Sequence, residues 1–133
     1  FRSIEYWNRI LELDPKNKVI LTRAGDAYRN TGDYKTAADY YNRAMDIDFD
    51  IYAALGLALI CKGEGKFDEA IERLEKLIRD DKKNHRLYID LADCFLKTGR
   101  KDKAAETLRS FQKQGIRNQA VNELLEKFEA GKI

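Results

Sequence analysis

The apolar residues Phe67, Ala70, Ile71, Leu74, Leu77 and Ile78 fall on one face of a helix, with charged residues between them. No stretch alternates with period two for long enough to suggest a strand. The helical pattern recurs at a fixed interval. Gly32, Gly65 and Gly99 stand 33 and 34 residues apart (65−32 and 99−65), and each is followed five residues later by an alanine, Ala37, Ala70 or Ala104. A period near 34 marks an array of one small unit. The units are residues 18–50, 51–84 and 85–118, with an opening segment 1–17 and a closing segment 119–133.

The columns of this alignment have physical reasons. Gly25, Ala58 and Ala92 are small, and small residues at a crossing let two helices approach closely. Tyr28, Cys61 and Phe95, and again Tyr41, Leu74 and Leu108, are the large or apolar residues that fill the remaining space. Ala24, Leu57 and Leu91 form a further column, as do Ala44, Leu77 and Phe111. Asn17, Asp50, Asn84 and Asn118 recur at the unit boundaries, where their side-chain oxygens cap a helix N-terminus. Each unit therefore reads as two helices, the first ending at the Gly32, Gly65 or Gly99 step, where glycine accepts a left-handed backbone. Eight helices are expected: an opening one, three pairs, and a last one from about Gln119 to Ala130.

The pattern resembles the tetratricopeptide repeat, W-x2-L-G-x2-Y, then A-x3-F, then P. The first unit supplies Gly25, Tyr28, Ala37 and the aromatic Tyr41; Leu57 and Leu91 restore the leucine place that holds Ala24. The tryptophan place holds Leu21, Ala54 and Tyr88, and the closing proline is replaced by Phe49, Lys82 and Ile116. In the opening segment Ser3 and Trp7 match the A-x3-F step and Pro15 the closing proline, so residues 1–17 read as the second helix of a truncated repeat. The resemblance covers nearly the whole chain. It implies an all-α, right-handed superhelical solenoid of antiparallel helix pairs, whose first helices line a concave groove.

Carried onto this sequence, the implied groove is lined by Thr22, Asp26 and Arg29, then Tyr52, Leu55, Leu59 and Lys62, then Arg86, Ile89 and Asp93. Some members of the family grip the C-terminal carboxylate of heat-shock chaperones with Lys, Asn and Arg residues on these helices. Here Thr22 stands in place of the first lysine and Asp26 in place of an asparagine; Arg86 fits, but Asp90 replaces a second basic residue. Two acidic groups would repel a carboxylate ligand, which argues against that clamp.

The residues from Ile51 to Cys61 are apolar all round, and such a helix is normally covered on every side. Tyr52, Leu55 and Leu59 belong to no repeat column and share one stripe, which Ile89 extends. Two readings stand: the floor of a groove that receives an apolar helix or extended segment, or packing against neighbouring first helices.

Charge and chemistry narrow the function classes. The 25 basic and 23 acidic residues leave +2, too little to direct the chain to nucleic acid or an anionic membrane. The acidic groups Asp26, Asp90 and Asp93 also interrupt any basic track for RNA. The longest apolar run is well short of the roughly 18 residues a spanning helix needs. The sole histidine, His85, follows a cap residue; no clustered metal ligands, nucleophile–base pair or phosphate loop stands out, so no enzyme, cofactor or metal is expected. Cys61 lies in a core column, whereas Cys94 sits one place off it and is expected to be partly exposed. Free thiols fit a reducing compartment such as the cytoplasm.

The expected function is a non-catalytic scaffold that binds a protein or peptide in its groove, with an architectural or self-assembly module as the alternative. At the C-terminal end, Ala120, Val121, Leu124, Leu125 and Phe128 are expected to face the third unit, with Asn122, Glu123, Glu126 and Glu129 in water. The chain opens at Phe1 in mid-repeat, as a piece of something longer would. Phe1, Ile4 and Leu11 are then expected to lack their natural cover and to promote self-association.

Overall fold

The computed structural model describes residues 2–132, with the side chains of Arg2 and Ser3 left aside. Every regular element among them is an α-helix: α1 (Arg2–Leu13), α2 (Lys18–Asn30), α3 (Tyr34–Ile47), α4 (Ile51–Gly63), α5 (Phe67–Asp80), α6 (His85–Lys97), α7 (Lys101–Gln112) and α8 (Gln119–Glu129). The chain divides into two compact units, residues up to 60 and residues from 61 on.

The recurrent local signals act through hydrogen bonds. Asn17 accepts from the Ile20 N–H at 3.2 Å, Asp50 from Tyr52 at 2.8 Å, Asn84 from Arg86 at 3.2 Å and Asn118 from Val121 at 3.1 Å. Each satisfies a donor that the first turn leaves orphaned. At the other end, Gly32 has φ +85°, and the N–H groups of Gly32 and Asp33 return to the carbonyls of Arg29 and Tyr28 at 3.0 Å each. The same doubled bond closes α4 at Gly65–Lys66 and α6 at Gly99–Arg100. Only the left-handed backbone presents both N–H groups to the last turn.

In the first unit, α2 and α3 pack over a core of Leu11, Leu21, Ala37, Tyr41, Ala44, Ala53 and Ile60. Tyr41 is fully buried, and its ring lies against two glycines, Gly25 of α2 and Gly56 of α4. A methyl group on Gly25 would stand 2.6 Å from Tyr41 Cε1, far inside van der Waals contact. Gly25 was legible as a repeat column; Gly56 was not. Leu11 belongs to this core at 7% exposure, contrary to the expectation that it lacks cover. The reason is its place on α1, one turn from the turn into α2, where it meets the Leu21 side of the core. Ile4 is half-buried, and Phe1 lies outside the described residues.

In the second unit, α5 and α7 both pack on α6, and α8 packs on α7. Leu74, Leu87, Cys94, Leu108, Phe111 and Val121 are buried, and Tyr88 meets Phe111 edge-on at 5.1 Å between ring centroids. The buried Cys94 corrects the expectation of partial exposure: α6 is covered on both sides, so a position adjacent to its inward column is also covered. Both cysteines are free thiols. On α8, Val121, Leu125 and Phe128 are buried while Glu123, Glu126 and Glu129 face water. One face of α8 is thus apolar and packed, and the other is polar. Ala120, expected to face inward, is exposed, and Asn122 is half-buried because its Oδ1 accepts from Gln112 Nε2 at 2.9 Å.

Candidate functional site

The residues expected to line a groove fall into two sets, one in each unit. On α2, Thr22 is almost fully buried and its hydroxyl donates to Asp50 Oδ2 at 3.3 Å, which ties α2 to the cap of α4. One turn on, Asp26 accepts a 2.5 Å hydrogen bond from the Tyr41 hydroxyl. Arg29 Nε donates to the same hydroxyl at 3.1 Å, and its guanidinium stands 3.6 Å from the Asp26 carboxylate. Burial and the donation to Asp26 raise the Tyr41 pKa well above the ordinary tyrosine value, with Arg29 working against them. Burial would lower the Arg29 pKa, but the hydrogen bond to Tyr41 and the Asp26 charge outweigh it and raise the value. Asp26 and Arg29 are thus held in one geometry by a phenol anchored in the core, with part of each side chain still facing solvent.

On α4 the expected apolar stripe is not uniform. Tyr52 is 62% exposed, Leu59 is half-buried, and Leu55 is buried at 4% exposure. Leu55 is therefore corrected from a surface to a packing residue. A helix that is apolar all round is covered on more than one side, and Leu55 lies on a covered one.

In the second unit, Lys62 and Asp93, separate groove positions in the sequence, form an ion pair with Nζ 2.6 Å from Oδ2. Asp90 completes the cluster 3.7 Å from the same nitrogen. All three side chains are largely withdrawn from water. Burial works against the Lys62 charge, but the hydrogen bond it donates to Asp93 and the field of both carboxylates prevail, so its pKa is raised. Burial also raises the Asp90 pKa, although Lys62 and Arg86 oppose it. The Lys62 ammonium thus bridges two carboxylates of α6, and the Arg86 charge acts on Asp90 as well. Arg86 is exposed and Ile89 half-buried beside it in sequence. Burial pushes the neighbouring Cys94 thiol up to about 11, so it is not a thiolate at neutral pH.

A cleft of about 400 Å³ that the repeat columns did not announce lies on the other side of α6, between α5 and α7. Tyr88, Leu91 and Phe95 line it together with Glu75, Arg79, Lys103 and Glu106. No group of three His, Cys, Asp or Glu side chains that could hold a metal occurs among the described residues. No helix among them is long and apolar enough to cross a membrane.

Two family models, both described as tetratricopeptide repeat, match residues 20–51 and 63–127. Among curated proteins, the chain is 30% identical over 116 residues to the RNA polymerase-associated protein CTR9 of Saccharomyces cerevisiae, covering 78% of this chain and 11% of that protein. It is 25% identical over 97 residues to Superkiller protein 3 of Schizosaccharomyces pombe, covering 72% of this chain and 7% of that one. The chain thus spans about a tenth or less of the length of these curated relatives. Among solved structures, the Yersinia enterocolitica type III secretion translocator chaperone SycD superposes with a TM-score of 0.73 at 23% identity, covering 86% of this chain and 93% of that one. MamA superposes with a TM-score of 0.67 at 18% identity, over 97% and 86%. Paired helices closed by recurrent glycines, the two family models and the likeness to these all-α helical solenoids agree, and the chain belongs to the tetratricopeptide repeat family.

Proposed function

We propose that this chain is a non-catalytic protein-interaction scaffold whose first-helix faces take up a peptide or helix of a partner protein. The observation that carries the reading is that the polar groups on these faces are already fixed. Asp26 and Arg29 are locked on the Tyr41 hydroxyl, and Asp93 on Lys62, while each keeps part of its surface towards solvent. Side chains ordered before binding lose less rotamer freedom when a partner arrives, which leaves more of the contact energy as affinity. Half-buried Leu59 and Ile89 supply apolar contact beside them. The likeness to SycD, solved in complex with a peptide of the translocator YopD, supports the reading at the level of the fold.

A crosslinking pull-down tests it. Arg86→Glu with Ile89→Ala alters the α6 face, whereas Lys76→Glu alters an exposed position on the second helix α5 and serves as control. Loss of the captured protein with the double variant and retention with the control is the expected result. Equal capture by both overturns the assignment of the face.

A further inference from the structure

Five large apolar side chains stand in water at one edge of the first unit: Leu13 at 90% exposure, Val19 at 57%, Ile47 at 41%, Phe49 at 53% and Tyr52 at 62%. They sit where α1 ends and α2 begins, and where α3 ends and α4 begins. The antiparallel pairing of α2 with α3 brings these two turns to the same end. The Lys18 ammonium shows it, donating to the Phe49 carbonyl at 3.4 Å and standing 3.9 Å from Asp48. Thr22 reaches Asp50 across the same edge.

The repeat supplies its own control. Ile47 shares a column with Asp80 and Gln114, Val19 and Tyr52 with Arg86, and Phe49 with Lys82 and the half-buried Ile116. Asp80, Lys82, Arg86 and Gln114 are exposed as well. These positions face water in both units, so the fold does not require apolar residues there, and apart from Ile116 the second unit fills them with charged or polar side chains. An edge that is apolar only in the first unit is a surface with a use, since contiguous exposed apolar side chains mark interaction sites.

The charge around the edge selects the occupant. Glu12, Asp14, Asp46 and Asp48 are exposed at its rim, and Asp50 caps α4 within it. Against these stand Lys16 and Lys18, the latter paired with Asp48. The rim is net negative, which repels anionic lipid and a second copy of the same edge. We infer that the turn edge formed by Leu13, Val19, Ile47, Phe49 and Tyr52 is a second docking surface, for a segment of another protein with apolar anchors flanked by lysine or arginine. It is distinct from the Asp26–Arg29 and Lys62–Asp93 clusters assigned above and shares with the expected groove lining only Tyr52.

The test uses the whole chain and two labelled synthetic helical peptides with the same leucine and phenylalanine anchors, one flanked by lysines and one by glutamates, followed by fluorescence anisotropy. Val19→Arg with Phe49→Lys places on this edge the residues that the second unit carries in the same columns, so the variant keeps the fold. The lysine-flanked peptide should bind the parent chain, lose roughly tenfold or more in affinity for the variant, and weaken with rising salt. It should still bind Arg86→Glu with Ile89→Ala, which separates this surface from the α6 face. The inference is overturned if the lysine-flanked peptide does not bind the parent, binds parent and variant alike, or binds no better than the glutamate-flanked one. It is also overturned if sedimentation shows the parent associating with itself through this edge, with the variant monomeric.

Discussion

The Tyr41 ring between Gly25 and Gly56 makes a quantitative prediction about how the first unit is packed. Gly25→Ala puts a methyl carbon 2.6 Å from Cε1 and 2.7 Å from Cδ1, roughly an ångström too close. The ring has little room to shift, because Gly56 lies against its Cζ end and a methyl there would meet it too. Overpacking of this kind costs about 1–3 kcal/mol. Two contacts this short put the cost in the upper part of that range, and the helix propensity of alanine over glycine returns about 1 kcal/mol, so a net loss of about 1–2 kcal/mol is expected. Tyr41→Leu alone should cost about 2–4 kcal/mol, from the cavity and from the hydroxyl bonds lost to Asp26 and Arg29. In the two later repeats the same two columns hold Ala58 with Leu74, and Ala92 with Leu108. The double variant Gly25→Ala, Tyr41→Leu reproduces that pairing. It should be more stable than the sum of the single effects by about 1–2 kcal/mol, a coupling typical of residues in contact. Urea unfolding of the four proteins of the cycle measures it. Additive single effects, or a Gly25→Ala protein as stable as the parent, would refute the packing argument.

Three further outcomes are expected. Leu55→Glu should destabilise by several kcal/mol in thermal or urea unfolding, because it buries an unpaired charge, whereas Leu59→Glu at its half-buried place should cost distinctly less. Cys94 holds its proton in the fold up to about pH 11, above the ordinary thiol value of 9.0, so the folded form binds more protons than the unfolded one in between. Its contribution to stability is therefore complete below pH 9 and is lost as pH rises towards 11; Cys94→Ala should remove that part of the alkaline decline. Lys62→Met should leave Asp90 and Asp93 facing each other without their cation and cost about 1–2 kcal/mol at neutral pH. That deficit should shrink as pH falls and Asp90, whose pKa burial raises, takes up a proton, and a pH-independent deficit would contradict the ion-cluster geometry.

Sequence alone determined the parts of this protein that depend on residues a few positions apart. The four Asn or Asp caps and the glycines at the first-helix ends act through hydrogen bonds within one turn, so their spacing revealed eight helices and the repeat. Column composition likewise announced the buried Tyr41, Leu74 and Leu108. The tertiary structure decided what distant residues do to one another. Nothing local to Gly56 shows that a tyrosine fifteen residues earlier needs its bare backbone, and nothing local to Lys62 shows that it will sit between Asp90 and Asp93. Leu11, Leu55 and Cys94 were placed too near the surface because helical periodicity gives a face, while burial depends on how many neighbours cover it. The same holds in reverse for Phe49 and Val19. In the sequence Phe49 stands only for a missing proline and Val19 draws no reading, and it is the antiparallel pairing of α2 with α3 that turns two separate turns into one apolar edge.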